Sequence, residues 1–187
     1  STSYYPKSVE EGLADFQIPL AGQPLTIEFV LNGQRFTAIN AGSEFSINPS
    51  ISFMLNFDPS VDDQASEHLD ALWEELMDGG QALMPLDAYP FSPRYGWVQD
   101  RFGTTWQLIL TDPAGDPRPF IVPSFLFADH TTNRAEEAVH FYVSVFKDAS
   151  IGSLTRYPEG SEPNQPGSLM FGDFSLAGQW FAAMDSG

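Results

Sequence analysis

The phrase LNGQRFTAINAG at residues 31–42 returns as LAGQWFAAMDSG at residues 176–187. Leu, Gly, Gln, Phe, Ala and Gly recur in the same places, position 31 against position 176, an offset of 145 residues. A phrase repeated at one offset marks a structural unit written twice, and it restricts the fold more than any propensity does. In the first copy, Leu25, Ile27, Phe29 and Leu31 alternate with other residues, which is the period of a strand. Asn32-Gly33 follows, a dipeptide suited to a two-residue hairpin turn, and residues 36–40 form the return strand. In the second copy Ala177-Gly178 takes the place of the turn. A shorter echo, YYP at 4–6 against RYP at 156–158, has an offset of 152. The first copy therefore carries a longer loop, and residues 6–24, rich in Gly, Pro and acidic groups, read as that loop.

The rest of the chain fills in the unit. Ile51–Phe57 is a short, nearly continuous apolar run, a strand buried on both faces. Leu69, Leu72, Trp73 and Leu76 then fall on one face of a helix that Gly79-Gly80 stops. A Pro- and aromatic-rich loop is expected over 85–95, followed by a strand, a tight turn at 101–103 and another strand. The segment TDPAGDPRP, 111–119, is the linker by its Pro and Gly density. A second apolar strand comes next, then a second helix with Ala135, Ala138, Val139, Tyr142 and Phe146 toward a core. ASIGSLTRY and the closing hairpin complete a β-α-β-β-β order. The expected organisation is a partial module over 1–47 holding only the last strands, a complete module over 48–112, and another over 117–187. The fold class is α+β.

Charge and residue types narrow the chemistry. There are 25 acidic residues against 8 basic ones, a formal net charge of −17. Such a surface repels nucleic acid and anionic membranes, so neither is an expected partner. Cysteine is absent, which removes disulfides, thiolate nucleophiles and cysteine zinc sites. No apolar stretch approaches the roughly 18 residues that span a bilayer. The first residues lack the apolar core of a signal peptide, so a cytoplasmic location is expected.

Four stretches carry a family resemblance: AEEAVHFYVSVF at 135–146, TRY at 155–157, the long run 31–57, and GWVQDRFGTTWQL at 96–108. Together they resemble the PhnB-like proteins, labelled 3-demethylubiquinone-9 3-methyltransferase domain, a branch of the glyoxalase/bleomycin-resistance/dioxygenase (vicinal oxygen chelate) superfamily. The resemblance implies repeated βαβββ modules that pair into cupped mixed sheets around a pocket. It also implies that unpaired module edges invite a homodimer.

In metal-dependent members of that superfamily a recurring Glu ends the phrase D-x-x-G-x-x-x-E. Here the phrase is DRFGTTWQ, and Gln107 stands at the ligand position. A neutral amide is a weaker ligand than a carboxylate. The strands ISFMLNF and FIVPSFLF supply no His or Glu, so no metal ligand is assigned and no cofactor is expected. Of the three histidines, His68 belongs at the wet edge of its helix and His140 reads as half-buried and hydrogen-bonded. His130, at a strand end near the cup rim, is the one candidate as a ligand or base. Trp97 and Trp106 either line a pocket or pack the sheet. Gln107 and Asn56 could form a polar pair in the cup.

The expectation is a protein that binds a small apolar or aromatic molecule against Phe53, Trp97, Trp106 and Phe125, with Asn56, Gln107 and His130 as polar contacts. No catalytic residue is assigned. A metal-dependent lyase or dioxygenase is the alternative, and an oligomer-forming structural module the third reading. The methyltransferase label is disfavoured: Gly79-Gly80 ends a helix, AGSEF joins strands, and no Gly-rich strand-to-helix loop for a methyl-donor cofactor is present.

Overall fold

The structure is a computed structural model that describes residues 1–42 and 45–187. The chain divides into two compact units, Ser1–Ile47 and Asn48–Gly187. Ser43 and Glu44, inside the AGSEF connection, lie outside the described residues.

The first unit is a three-stranded antiparallel sheet of β1 (Thr2–Tyr4), β2 (Pro24–Leu31) and β3 (Gln34–Ile39). Asn32 and Gly33 both take positive φ, 45° and 80°, the geometry that lets a two-residue loop follow the strand twist. Phe29 and Phe36 stack across the pair at 5.6 Å. The expected loop at 6–24 contains two short 3₁₀ helices, Val9–Glu11 and Asp15–Leu20. Short 3₁₀ segments of one or two turns suit a stretch punctuated by Gly and Pro, which a longer helix would not tolerate.

The second unit holds β4 (Ile51–Phe57), α1 (Ala65–Met77), β5 (Gln81–Tyr89), β6 (Ser92–Gln99), β7 (Thr105–Leu110), β8 (Ile121–Phe127), α2 (Ala135–Val145), β9 (Ala149–Arg156), β10 (Leu169–Leu176) and β11 (Gln179–Asp185). Its eight strands form one mixed sheet in the order β5-β6-β7-β4-β8-β11-β10-β9. Within each half the first strand runs parallel to the last, β4 to β7 and β8 to β11. The halves join where β4 and β8 pair antiparallel, with Ser52 opposite Ser124. No helix among the described residues is long and apolar enough to cross a membrane.

The helices cover one face of the sheet. Ala65, Leu69 and Trp73 of α1 are buried, with Leu72 and Leu76 half-buried beside them. Gly96 makes room for Trp73; a Cβ there would lie 2.5 Å from the indole ring. On the other half, Val139 of α2 packs with Phe174, Leu176 and Ala183. Phe146 does not join this core. The helix ends at Val145, Phe146 turns to extended backbone, and its side chain is 51% exposed. His140 is likewise exposed, its Nε2 3.6 Å from the Glu136 carboxylate, so the half-buried reading is corrected. Arg156 donates to the same Glu136 at 2.9 Å and holds that carboxyl below the usual range.

The loop expected at 85–95 is instead a hairpin, β5 to β6, turning at residues 90–91. Pro85 is tolerated because β5 is an outer strand of the sheet, where a missing N–H breaks no ladder on the open side. Three register shifts along β5 absorb the irregularity.

The repeated phrase is repeated in three dimensions. Ala177 and Gly178 turn at φ 50° and 82°, as Asn32 and Gly33 do. Phe174 and Phe181 stack at 5.7 Å, as Phe29 and Phe36 do at 5.6 Å. The Tyr157 hydroxyl donates to the Asp185 carbonyl, and the Tyr5 hydroxyl donates to that of Asn40. Each correspondence falls at the offset read in the sequence.

Candidate functional site

Strand alternation sorts the expected site residues between two faces. β6, β7 and β4 align Trp97 with Gln107 and Gln107 with Met54, so these three share the concave face, opposite the helices. Phe53, Trp106 and Phe125 sit one residue out of step and belong to the helix-covered face. Phe53 packs on Trp106 at 5.2 Å, and Phe125 lies 6.1 Å from Tyr142 of α2 and 5.7 Å from Phe181. Trp106 donates its Nε1 hydrogen to Asp100 at 2.9 Å. The aromatic quartet expected around a ligand is therefore split, with Trp97 alone on the concave side. Its Nε1 is buried and has no hydrogen-bond partner among the described residues.

Gln107 is fully buried and already engaged on both ends of its amide. Tyr95 donates its hydroxyl to Oε1 at 2.8 Å, and Nε2 donates to Ser52 Oγ at 2.7 Å. The expected pairing with Asn56 does not occur; Asn56 Nδ2 donates to the Pro119 carbonyl at 2.8 Å. His130 stands in a 3₁₀ turn, Asp129–Thr131, with its side chain 88% exposed beside Asp129. It is not brought to the concave face.

Burial pushes the Tyr95 hydroxyl well above the ordinary tyrosine range, because the phenolate would lose its hydration inside the sheet. In the unfolded chain it ionises near pH 10. The folded pKa is raised, so this contribution to stability is fully present below about pH 10 and is lost as the pH rises above it. In Tyr95→Phe the slope of unfolding free energy between pH 9 and 11 should become shallower. An unchanged slope in urea titrations across that range would contradict the assignment.

The metal implied by the superfamily does not fit these residues. The superfamily ligand position is Gln107, whose oxygen is taken by Tyr95. The counterpart on β11, four residues beyond the turn glycine, is Ala182, fully buried. Ser52 and Ser124 face each other on the two first strands. Among the described residues, no three His, Asp or Glu side chains converge to hold an ion. A methyl-donor cofactor fits no better. The strand-to-helix connections, residues 58–64 and 128–134, contain no glycine to let a backbone approach a bound nucleotide.

What the concave face does contain is an open cleft of about 600 Å³. Met54, Asn56, Ile109, Phe171 and Trp180 line it from the sheet. Met54, Val122 and Ala182 form a buried cluster with Ile109, Phe171 and Trp180 packed against it. The linker between β7 and β8 contributes Thr111, Asp112, Asp116 and Arg118. Arg118 Nε donates to Asp173 Oδ2 at 2.7 Å, and its Cζ lies 3.9 Å from the centroid of the Trp180 ring. The other Asp173 oxygen accepts from Ser153 N at 2.6 Å and Oγ at 3.1 Å. Gly152 is required here: a Cβ would come within 2.2 Å of Asp173 Oδ1. Sequence reasoning missed Arg118, Asp173 and Trp180. A signal was present in LMFGDFSL, where one acid interrupts an apolar strand and so demands a cation or several donors.

Comparison with known proteins follows the same lines. The family model described as 3-demethylubiquinone-9 3-methyltransferase matches residues 7–109 and 119–187. A solved PhnB protein from Bacillus cereus, described with the same methyltransferase name, is 32% identical over 59% of this chain and 77% of its own, with a TM-score of 0.46. Protein PA1353 from Pseudomonas aeruginosa is 18% identical over 59% and 78%, TM-score 0.43. A protein from Staphylococcus aureus is 27% identical over 60% and 74%, TM-score 0.27. No curated protein matches the chain. The family match spans nearly all of the sequence, and the chain belongs to the PhnB-like family of 3-demethylubiquinone-9 3-methyltransferase domains.

Proposed function

We propose that this protein binds a small apolar or aromatic molecule in the concave cleft of its second unit, without a metal ion. The observation that carries this reading is the cleft itself. Its volume of about 600 Å³ lies within the range of small-molecule sites, and its lining combines apolar side chains of the sheet with polar and charged ones, several of them from the linker. Met54, Ile109, Phe171 and Trp180 supply area for an apolar ring; Asn56 and the Arg118–Asp173 pair supply orientation. Gln107 takes a structural part in this reading, joining β4, β6 and β7 through Ser52 and Tyr95.

A thermal-shift screen of aromatic compounds tests it. A ligand at ten times its Kd stabilises by about 1.4 kcal/mol, which in a chain of this size raises Tm by roughly 3–5 °C. The shift should vanish in Ile109→Trp, which puts a larger ring where the ligand would lie, provided that variant keeps its own cooperative transition. Flat curves across the library, or shifts that survive in Ile109→Trp, would remove the proposal.

A further inference from the structure

We infer that Arg118 is the polar anchor of this cleft and that the cleft takes a neutral aromatic molecule bearing a carbonyl oxygen, in preference to a carboxylate or an amine. The inference rests on the binding reading above and adds the ligand's polar class.

Arg118 comes from the linker, yet its side chain is only 20% exposed, lodged against Trp180. A guanidinium presents five N–H donors in one plane. Here Nε serves Asp173 and Nη1 donates to the Pro117 carbonyl at 3.1 Å, while Nη2 makes no hydrogen bond within the described residues. Nη2 is not sealed from solvent, so its hydrogens stay hydrated until a ligand acceptor replaces the water. The group is also rigidly held. Asp173 fixes one edge, Trp180 fixes one face, and Ser153 with the bare backbone of Gly152 fixes Asp173. A donor held by Asp173, the Trp180 ring and the Pro117 carbonyl is preorganised for an acceptor on the ligand.

Charge then selects the kind of acceptor. The Arg118 charge is already opposed by Asp173, and Asp112 and Asp116 line the same cleft. Three carboxylates against one guanidinium disfavour an anionic ligand. An ammonium would be attracted by the acids, but the face of Trp180 is already occupied by a cation, and the open hydrogens of Nη2 repel a group that only donates. A ketone or amide oxygen meets neither objection. It accepts from Nη2 without adding charge, while its ring lies on the Met54–Phe171 side.

Four naphthalenes of nearly one shape separate these cases by fluorescence titration of the full chain: 2-acetyl-, 2-ethyl-, 2-carboxy- and 2-aminomethylnaphthalene. The acetyl compound should bind about tenfold tighter than the ethyl one, the strength of one hydrogen bond to a charged donor. It should also bind tighter than the carboxylate and the amine. In the double variant Arg118→Met with Asp173→Asn, which removes the ion pair as a unit, the acetyl-to-ethyl ratio should fall to about one. If that variant does not fold, the ranking on the unaltered protein decides. Equal binding of acetyl and ethyl, tightest binding of the carboxylate or amine, or a ratio that survives in the variant would overturn the anchor and leave cleft binding standing. Failure of all four probes to bind would reject the binding reading and this inference together.

Discussion

Asp173→Ala should destabilise the second unit by roughly 3 kcal/mol. The carboxylate is 10% exposed and accepts three hydrogen bonds, from Arg118, the Ser153 amide and the Ser153 hydroxyl. Removing it leaves a backbone N–H and a largely buried guanidinium unsatisfied, and that is where most of the cost arises. The pair itself is worth much less, since desolvation of two charges offsets most of their attraction. The double variant Asp173→Ala, Arg118→Met should therefore recover about half of the loss, because no cation is left stranded. Urea unfolding with an unchanged m-value measures both. A single-variant loss below about 0.5 kcal/mol, the range of exposed ion pairs, would show that Arg118 simply swings into solvent.

The second large effect is expected at Asp185. Its side chain is 2% exposed, with Oδ1 accepting from the Ala135 amide at 3.1 Å and Oδ2 from the Leu169 amide at 2.9 Å. Ala135 is the first residue of α2, so one oxygen satisfies a helix-start N–H and the other ties β10 to the end of β11. Asp185→Ala should cost roughly 2–4 kcal/mol. Asp185→Asn should cost nearly as much, because the amide can accept only one of the two bonds and points an N–H at the other donor. Chemical denaturation of the two variants decides this. If Asn restores most of the stability that Ala loses, the two-acceptor account is wrong.

The sequence was most legible where backbone geometry is set locally. Asn32-Gly33 announced its turn because few residue pairs accept two positive φ angles, and Ala177-Gly178, where alanine at positive φ is disfavoured, was found only by its place in the repeat. Trp73 and Leu69 announced a buried helix face by spacing alone. Pro85 misled because the rule against proline in strands holds for inner strands, and strand order is not written in local sequence. The site was less legible for a related reason. Phe53, Trp106 and Phe125 lie on strands whose two faces are both partly apolar, so composition could not say which face was concave. Gln107 was found as a buried amide in need of partners, but its partners, Tyr95 and Ser52, lie 12 and 55 residues away. Arg118 was hidden in a segment read only as a linker. The acid at 173 and the scarcity of bases, 8 in the whole chain, were together the available hint.

The repeat also contains a design rule. Asn40 occupies in the first unit the place that Asp185 holds in the second, and Pro24 the place of Leu169. Leu169 offers an N–H, which a carboxylate accepts; Pro24 has none, and Asn40 Nδ2 donates instead to the Pro24 carbonyl at 3.1 Å. Two substitutions have thus reversed the polarity of one hydrogen bond while keeping its position. Anyone transplanting a strand and helix like β8 and α2 onto the first unit would have to restore both members, Asn40→Asp together with Pro24 to a residue bearing an N–H. Changing Asn40 alone would supply the oxygen that starts the helix but would set the other carboxylate oxygen against the Pro24 carbonyl, with no N–H to accept from.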